Sequence, residues 1–143
     1  MADKPPEAAG KDEALALRAA YEEVSPLIEA FTSEICPGCE SVCCIDRHGS
    51  YEAEDSAFAR ALGQEPPPEA PRPEDTEPCR FLGREGCRLP RFRRPYRCTW
   101  YFCQRLLESM PARDPRGYRR LVSSLERLME ARARLAARLR AGR

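Results

Sequence analysis

The 143-residue chain has one histidine, two lysines and one tryptophan. A single histidine rules out sites built from several imidazoles, including the HExxH zinc helix. No Ser/His/Asp order and no glycine-rich phosphate loop occurs, so the common hydrolase and nucleotide-binding readings have no footing. No run reaches the roughly 18 apolar residues of a membrane span, and the mean hydropathy is −0.63. The segment Met1–Lys11 is polar, with Pro5 and Pro6, and lacks the apolar stretch of a secretory signal. These absences lead us to expect a soluble, cytoplasmic protein with no membrane partner and no catalytic residues.

Against this background the eight cysteines stand out. In an oxidising compartment they would suggest four disulfides; in a reducing one, metal binding or thiol chemistry. Charge is divided just as unevenly. Residues 1–79 carry 18 acids and 6 bases, a net charge of −12, whereas residues 80–143 carry 5 acids and 18 bases, a net charge of +13. Such near-cancellation suggests that the two halves bind each other; a basic half also admits nucleic acid.

Apolar spacing predicts two long helices. Over residues 12–35, Leu17, Tyr21, Val24, Ile28, Phe31 and Ile35 recur at 4-3-4-3-4, with Pro26 as a potential kink and Cys36-Pro37-Gly38 as the stop. Near the C-terminus, Asp114 reads as a cap, Pro115 as the first helical residue and Gly142 as the end. The seam between them is Leu121, Leu125, Leu128, Arg132, Leu135 and Leu139. An acidic and a basic helix of this kind are expected to pack antiparallel. The cysteine region would lie at one end of the pair and both termini at the other. Arg132 would snorkel or meet an acid of the first helix.

Shorter elements fall between. Residues 51–62 read as a helix capped by Ser50 and stopped by Gly63, with Glu52, Glu54 and Asp55 on a solvated face. Residues 64–78 hold six prolines and five acids and read as an extended loop. Residues 99–110 read as a helix carrying Cys103, Leu106, Leu107 and Met110 on one face, with Pro111 after it. No stretch reads as a strand. The expected organisation is a disordered segment 1–11, a helix 12–35, a cysteine domain 36–110 and a basic helix 111–143. The fold class is mainly α, a small irregular cysteine-rich core flanked by the helix pair.

The cysteines carry the chemistry. Cys36-Pro37-Gly38-Cys39 has the two-residue spacing that lets both sulfurs converge on one ion. Cys43 and Cys44 follow at once, and Cys79, Cys87, Cys98 and Cys103 lie in the second half. Buried cysteine often acts as a small hydrophobe, but four within nine residues point to metal ligation. Eight sulfurs suffice for two zinc sites of four thiolates, or one iron–sulfur cluster with spares. Cys103 sits on an apolar helix face, where packing competes with ligation. His48 is a possible fourth ligand of a three-cysteine site; a plain loop histidine is the simpler reading.

The order Cys-x-x-Cys-x-x-x-Cys-Cys, then Pro78-Cys79-Arg80-Phe81-Leu82-Gly83, Gly86-Cys87-Arg88-Leu89 and Arg94-Pro95-Tyr96-Arg97-Cys98, resembles the YkgJ-like cysteine-cluster proteins. These are described as zinc- or iron-chelating domains. The resemblance covers about residues 36–103 and implies Cys36, Cys39, Cys43, Cys44, Cys79, Cys87 and Cys98 as the cluster. Two departures stand: three residues rather than two precede Cys43-Cys44, and Leu89-Pro90 replaces an apolar-Tyr pair. Flagellin lysine methylases have similar cysteine groupings in much longer chains, but the length and the cofactor loop for methyl transfer are missing here.

The expected function is therefore thiolate metal binding, to zinc or alternatively iron or an iron–sulfur cluster, in a structural, electron-transfer or metal-handling role. An unidentified protein partner fits that role. The alternative is a zinc-stabilised nucleic-acid module. Arg80, Arg84, Arg88, Arg91, Arg93, Arg94 and Arg97 alternate with Phe81, Phe92, Tyr96, Trp100 and Tyr101, as in stacking clamps for nucleic acid. Internal compensation of the acidic half accounts for the same arginines. A small redox enzyme or enzyme subunit is the third reading.

Overall fold

A computed structural model describes residues 10–36, 51–66, 82–83 and 86–141. The chain is mainly helical, with long helices towards both ends: α1 (Lys11–Ile35) and α5 (Pro115–Ala141). Between them lie α2 (Ala53–Ala61), the strands β1 (Leu82–Gly83) and β2 (Gly86–Cys87), a 3-10 turn at Arg91–Arg93, the single-turn α3 (Arg97–Trp100) and α4 (Gln104–Arg113). The strands pair antiparallel, Leu82 opposite Cys87 and Gly83 opposite Gly86. At two residues each they are too short to bury a face.

The predicted stripe of α1 is the core. Ala14, Leu17, Tyr21, Val24, Ile28, Phe31 and Ile35 are all at most 5 % exposed. Pro26 does not divide the helix, which runs unbroken from Lys11 to Ile35. Proline removes one backbone hydrogen bond, and burial of seven side chains on the opposite stripe outweighs that loss. Gly10 and Lys11, assigned from the sequence to a disordered segment, already belong to the start of α1.

α5 departs from the expected seam. Its buried residues are Gly117, Leu121, Ser124, Leu128, Ala131 and Leu135; Leu125, Arg132 and Leu139 are only half-buried at the edge. The 4-3-4-3-4 rhythm is kept, with small residues taking every seventh position. Gly117, Ser124 and Ala131 bring the α5 backbone close to its neighbour, because interaxial distance is set by the side chains at the contact.

α1 and α5 run antiparallel. Gly10 lies against Leu135 and Leu139 at the far end of α5. Glu13 pairs with Arg138, and Glu23 with Arg127. Ten residues forward on α1 thus match eleven backward on α5. Leu121 and Leu128 are fully buried, each contributing roughly 2 kcal/mol. Exposed ion pairs contribute about 0–1 kcal/mol. Burial therefore drives the pairing, and charge sets direction and register.

The shorter elements differ from expectation at their ends. α2 begins at Ala53, and its amino end is closed by the Asp55 carboxylate accepting the Glu52 N–H at 2.9 Å; Ser50, the expected cap, lies outside the described residues. It stops as predicted at Gly63 (φ 76°). The Gly63 and Gln64 N–H groups donate back to Arg60 and Ala59, the Schellman arrangement. The expected helix 99–110 is two pieces, α3 and α4, separated by extended backbone at Tyr101 and Cys103. Phe102 and Cys103 turn into the core there, and their burial replaces helical continuity. Pro111 sits inside the last turn of α4. Asp114 caps α5 as predicted, accepting the Gly117 N–H at 3.0 Å; Gly142 lies outside the described residues, as do positions 67–78 of the proline-rich loop.

Candidate metal centre

Four of the eight predicted ligands lie within the described residues. Cys36 is the exposed C-cap of α1; Cys87, Cys98 and Cys103 are half-buried. Cys39, Cys43, Cys44, Cys79 and His48 lie outside the described residues. Among the described residues no three Cys, His, Asp or Glu side chains come together as a metal site. Cys103 packs against the apolar core at the start of α4, which is the packing role weighed above.

Cys87 and Cys98 share a neighbour. The thiols of both act electrostatically on the Arg91 guanidinium. Arg91 is buried, donates to Ser25 Oγ at 3.3 Å and pairs with Glu29 at 3.6 Å. Burial and neighbouring Arg94 push it down to about 10, so it stays charged at neutral pH. The Cys87–Cys98 stretch thus sits against the middle of α1, not at an end of the helix pair as expected from the sequence.

Polar and aromatic clamps hold this stretch in place. Arg94 bonds the Leu89 carbonyl at 2.9 Å and reaches Glu29 at 3.9 Å. Arg93 donates to Gln64 at 3.1 Å, and the Tyr51 hydroxyl donates to the Arg93 carbonyl at 2.7 Å. Arg18 lies over Phe92, 4.2 Å from its centroid. Several of the arginines that resembled a nucleic-acid clamp are therefore occupied within the chain.

A second polar node was not foreseen. Asp55, expected on a solvated face, is only 8 % exposed. It also accepts the Tyr96 N–H at 3.1 Å, tying α2 to the start of α3. Burial pushes its carboxyl above the usual range despite these two bonds. Burial likewise raises the Tyr21 and Tyr96 hydroxyls. Tyr21 stacks on Phe58, with centroids 5.7 Å apart. Arg132 closes the node from α5, pairing with Glu54 at 2.7 Å and Glu52 at 3.5 Å. The acids it meets are on and beside α2, not on α1 as expected. An Asp three residues beyond a potential N-cap was the available signal for Asp55.

No helix among the described residues is long and apolar enough to cross a membrane. Comparison with protein-family models, with curated proteins and with solved structures finds no match for this chain.

Proposed function

We propose that the protein is a cytoplasmic thiolate metal-binding protein of the YkgJ-like kind, with Cys36, Cys39, Cys43, Cys44, Cys79, Cys87 and Cys98 as its ligands. The observation that carries this reading is the density of sulfur: Cys-x-x-Cys-x-x-x-Cys-Cys within nine residues. Cys87 and Cys98 flank Arg91, which is tied to α1 through Ser25 and Glu29, so these two thiols lie on an anchored stretch of chain, which supports it. Cys36 is presented to solvent at the end of a rigid helix. Zinc would supply a tetrahedral cross-link without redox chemistry, and an iron–sulfur cluster would supply an electron-transfer couple. Zinc is the favoured metal, because the Cys36-Pro37-Gly38-Cys39 spacing suits a zinc knuckle.

Anaerobic purification, metal analysis and an absorbance spectrum test this. Stoichiometric zinc on a colourless protein is expected, with metal lost in the Cys87→Ser and Cys98→Ser variants. Iron with acid-labile sulfide and broad absorbance near about 400 nm would replace zinc by a cluster. A folded, metal-free protein with eight disulfide-bonded or unreactive cysteines would overturn the reading.

A further inference from the structure

The ion pairs between the acidic and basic helices leave a remainder. On α5, Arg127 pairs with Glu23, Arg132 with Glu52 and Glu54, and Arg138 with Glu13. Arg116, Arg119 and Arg120 are exposed and have no ion-pair partner among the described residues. They line an open groove of about 660 Å³ between α1 and α5, together with Arg127, Ser123 and Glu23. The first turn of α5 holds no acid. Like charges at i, i+3 and i+4 repel one another, and cations at this end of a helix oppose its dipole. The three arginines therefore repel one another where they stand, and no acid among the described residues pairs with them.

We propose that this groove binds the phosphodiester backbone of a nucleic acid without reading its sequence. Arg116 to Arg127 spans about 16 Å at 1.5 Å per residue. One strand of duplex presents a phosphate about every 3.4 Å along its axis, so four to five phosphates fall within that reach. Guanidinium forks match phosphate oxygens bidentately. The groove is open to solvent, so it does not enclose a single small anion. No aromatic ring lines it, so it offers charge to a backbone and no stacking platform to bases. The inference does not depend on the metal reading, because no cysteine takes part.

Fluorescence anisotropy of the full-length protein with a labelled 20-nucleotide single strand and a 20-base-pair duplex tests it, between 50 and 200 mM NaCl. Binding is expected with a slope of log K against log [salt] of about −2.7 on the duplex and about −2.1 on the single strand, about 0.9 and about 0.7 for each of three guanidiniums. Arg116→Gln/Arg119→Gln/Arg120→Gln should weaken binding at least about tenfold at 50 mM salt and flatten the slope. Arg60→Gln/Arg134→Gln/Arg140→Gln removes the same charge elsewhere and should change affinity less than about threefold. The single Arg120→Gln variant, with a slope change of about 0.9 on the duplex, serves if the triple variant loses helix content by circular dichroism. Absence of binding at 50 mM salt, equal losses in the two triple variants, or displacement of the oligonucleotide by polyglutamate at equal charge would each overturn the proposal.

Discussion

The Arg132 guanidinium lies over the ring of Tyr96, 4.0 Å from its centroid, while its nitrogens reach Glu54 and Glu52. One side chain of α5 thus joins α2 and the Cys98 segment to the helix pair. Its side chain is 18 % exposed, so screening by solvent is partial. Arg132→Ala should cost about 1–2 kcal/mol from the lost stack and ion pairs. Arg132→Lys should recover only part, since an ammonium keeps charge but not the planar face. Urea unfolding of the three proteins checks this; an Ala variant as stable as wild type would refute it.

Gly117 and Asp114 make a sign prediction. A Cβ on Gly117 would stand 2.3 Å from Asp114 Oδ2, the carboxylate that caps α5. Ala is favoured over Gly inside a helix by about 1 kcal/mol, but displacing the cap costs about the same. Gly117→Ala alone should therefore gain nothing or destabilise. In an Asp114→Ala background it should stabilise by about 0.5–1 kcal/mol. Equal effects in the two backgrounds would show that the cap and the glycine are not coupled.

Ser124 is buried in the α5 seam, and its hydroxyl has no hydrogen-bond partner among the described residues. Ser124→Ala should stabilise by about 0.5–1 kcal/mol, through removal of an unsatisfied group and better helix propensity. Ser124→Leu should destabilise by more than about 2 kcal/mol, because the position must stay small for the helices to approach. Thermal melts of both variants check the pair of signs.

Asp55 makes a pH prediction. Its folded pKa lies above that of an ordinary aspartate because burial disfavours the carboxylate. Its titration therefore adds stability that is fully present below the unfolded pKa and is lost as pH rises through the folded one. Wild type should gain relative to Asp55→Asn between pH 7 and pH 4, as measured by urea midpoints at both. A gap that stays constant or moves the other way would show that the Glu52 and Tyr96 N–H donors outweigh burial.

Metal removal should leave the helix pair standing. The buried residues of α1 and α5 include no cysteine, so the pair's hydrophobic seam does not depend on thiolate bonds. Treatment with a strong chelator should preserve most of the far-ultraviolet helix signal and a cooperative melt, at a lower midpoint. Complete loss of helix would mean that the metal organises the whole chain.

Much of this architecture was legible in the sequence for a physical reason. Helical periodicity and capping are local. Seven apolar residues at 4-3 spacing announce α1, Asp114-Pro115 announces the start of α5, and Gly63 announces the end of α2. The opposed charges of the two halves pointed to their pairing, since attraction between opposite charges needs only proximity. The relationships that cross the chain could not be read in the same way. Leu125, Arg132 and Leu139 fit the seam of α5 by spacing as well as Gly117, Ser124 and Ala131 do. Only docking against α1 decided which stripe is buried. Asp55 looked solvated because periodicity cannot register a distant N–H, and Tyr96 is 41 residues away. The cysteine spacing fixes how close neighbouring sulfurs can come, and so which chemistry they suit. Where Cys87 and Cys98 sit, against the middle of α1 beside Arg91, was decided by tertiary packing, because the arginine clamps that hold them draw their partners from α1 and from residues 51–65.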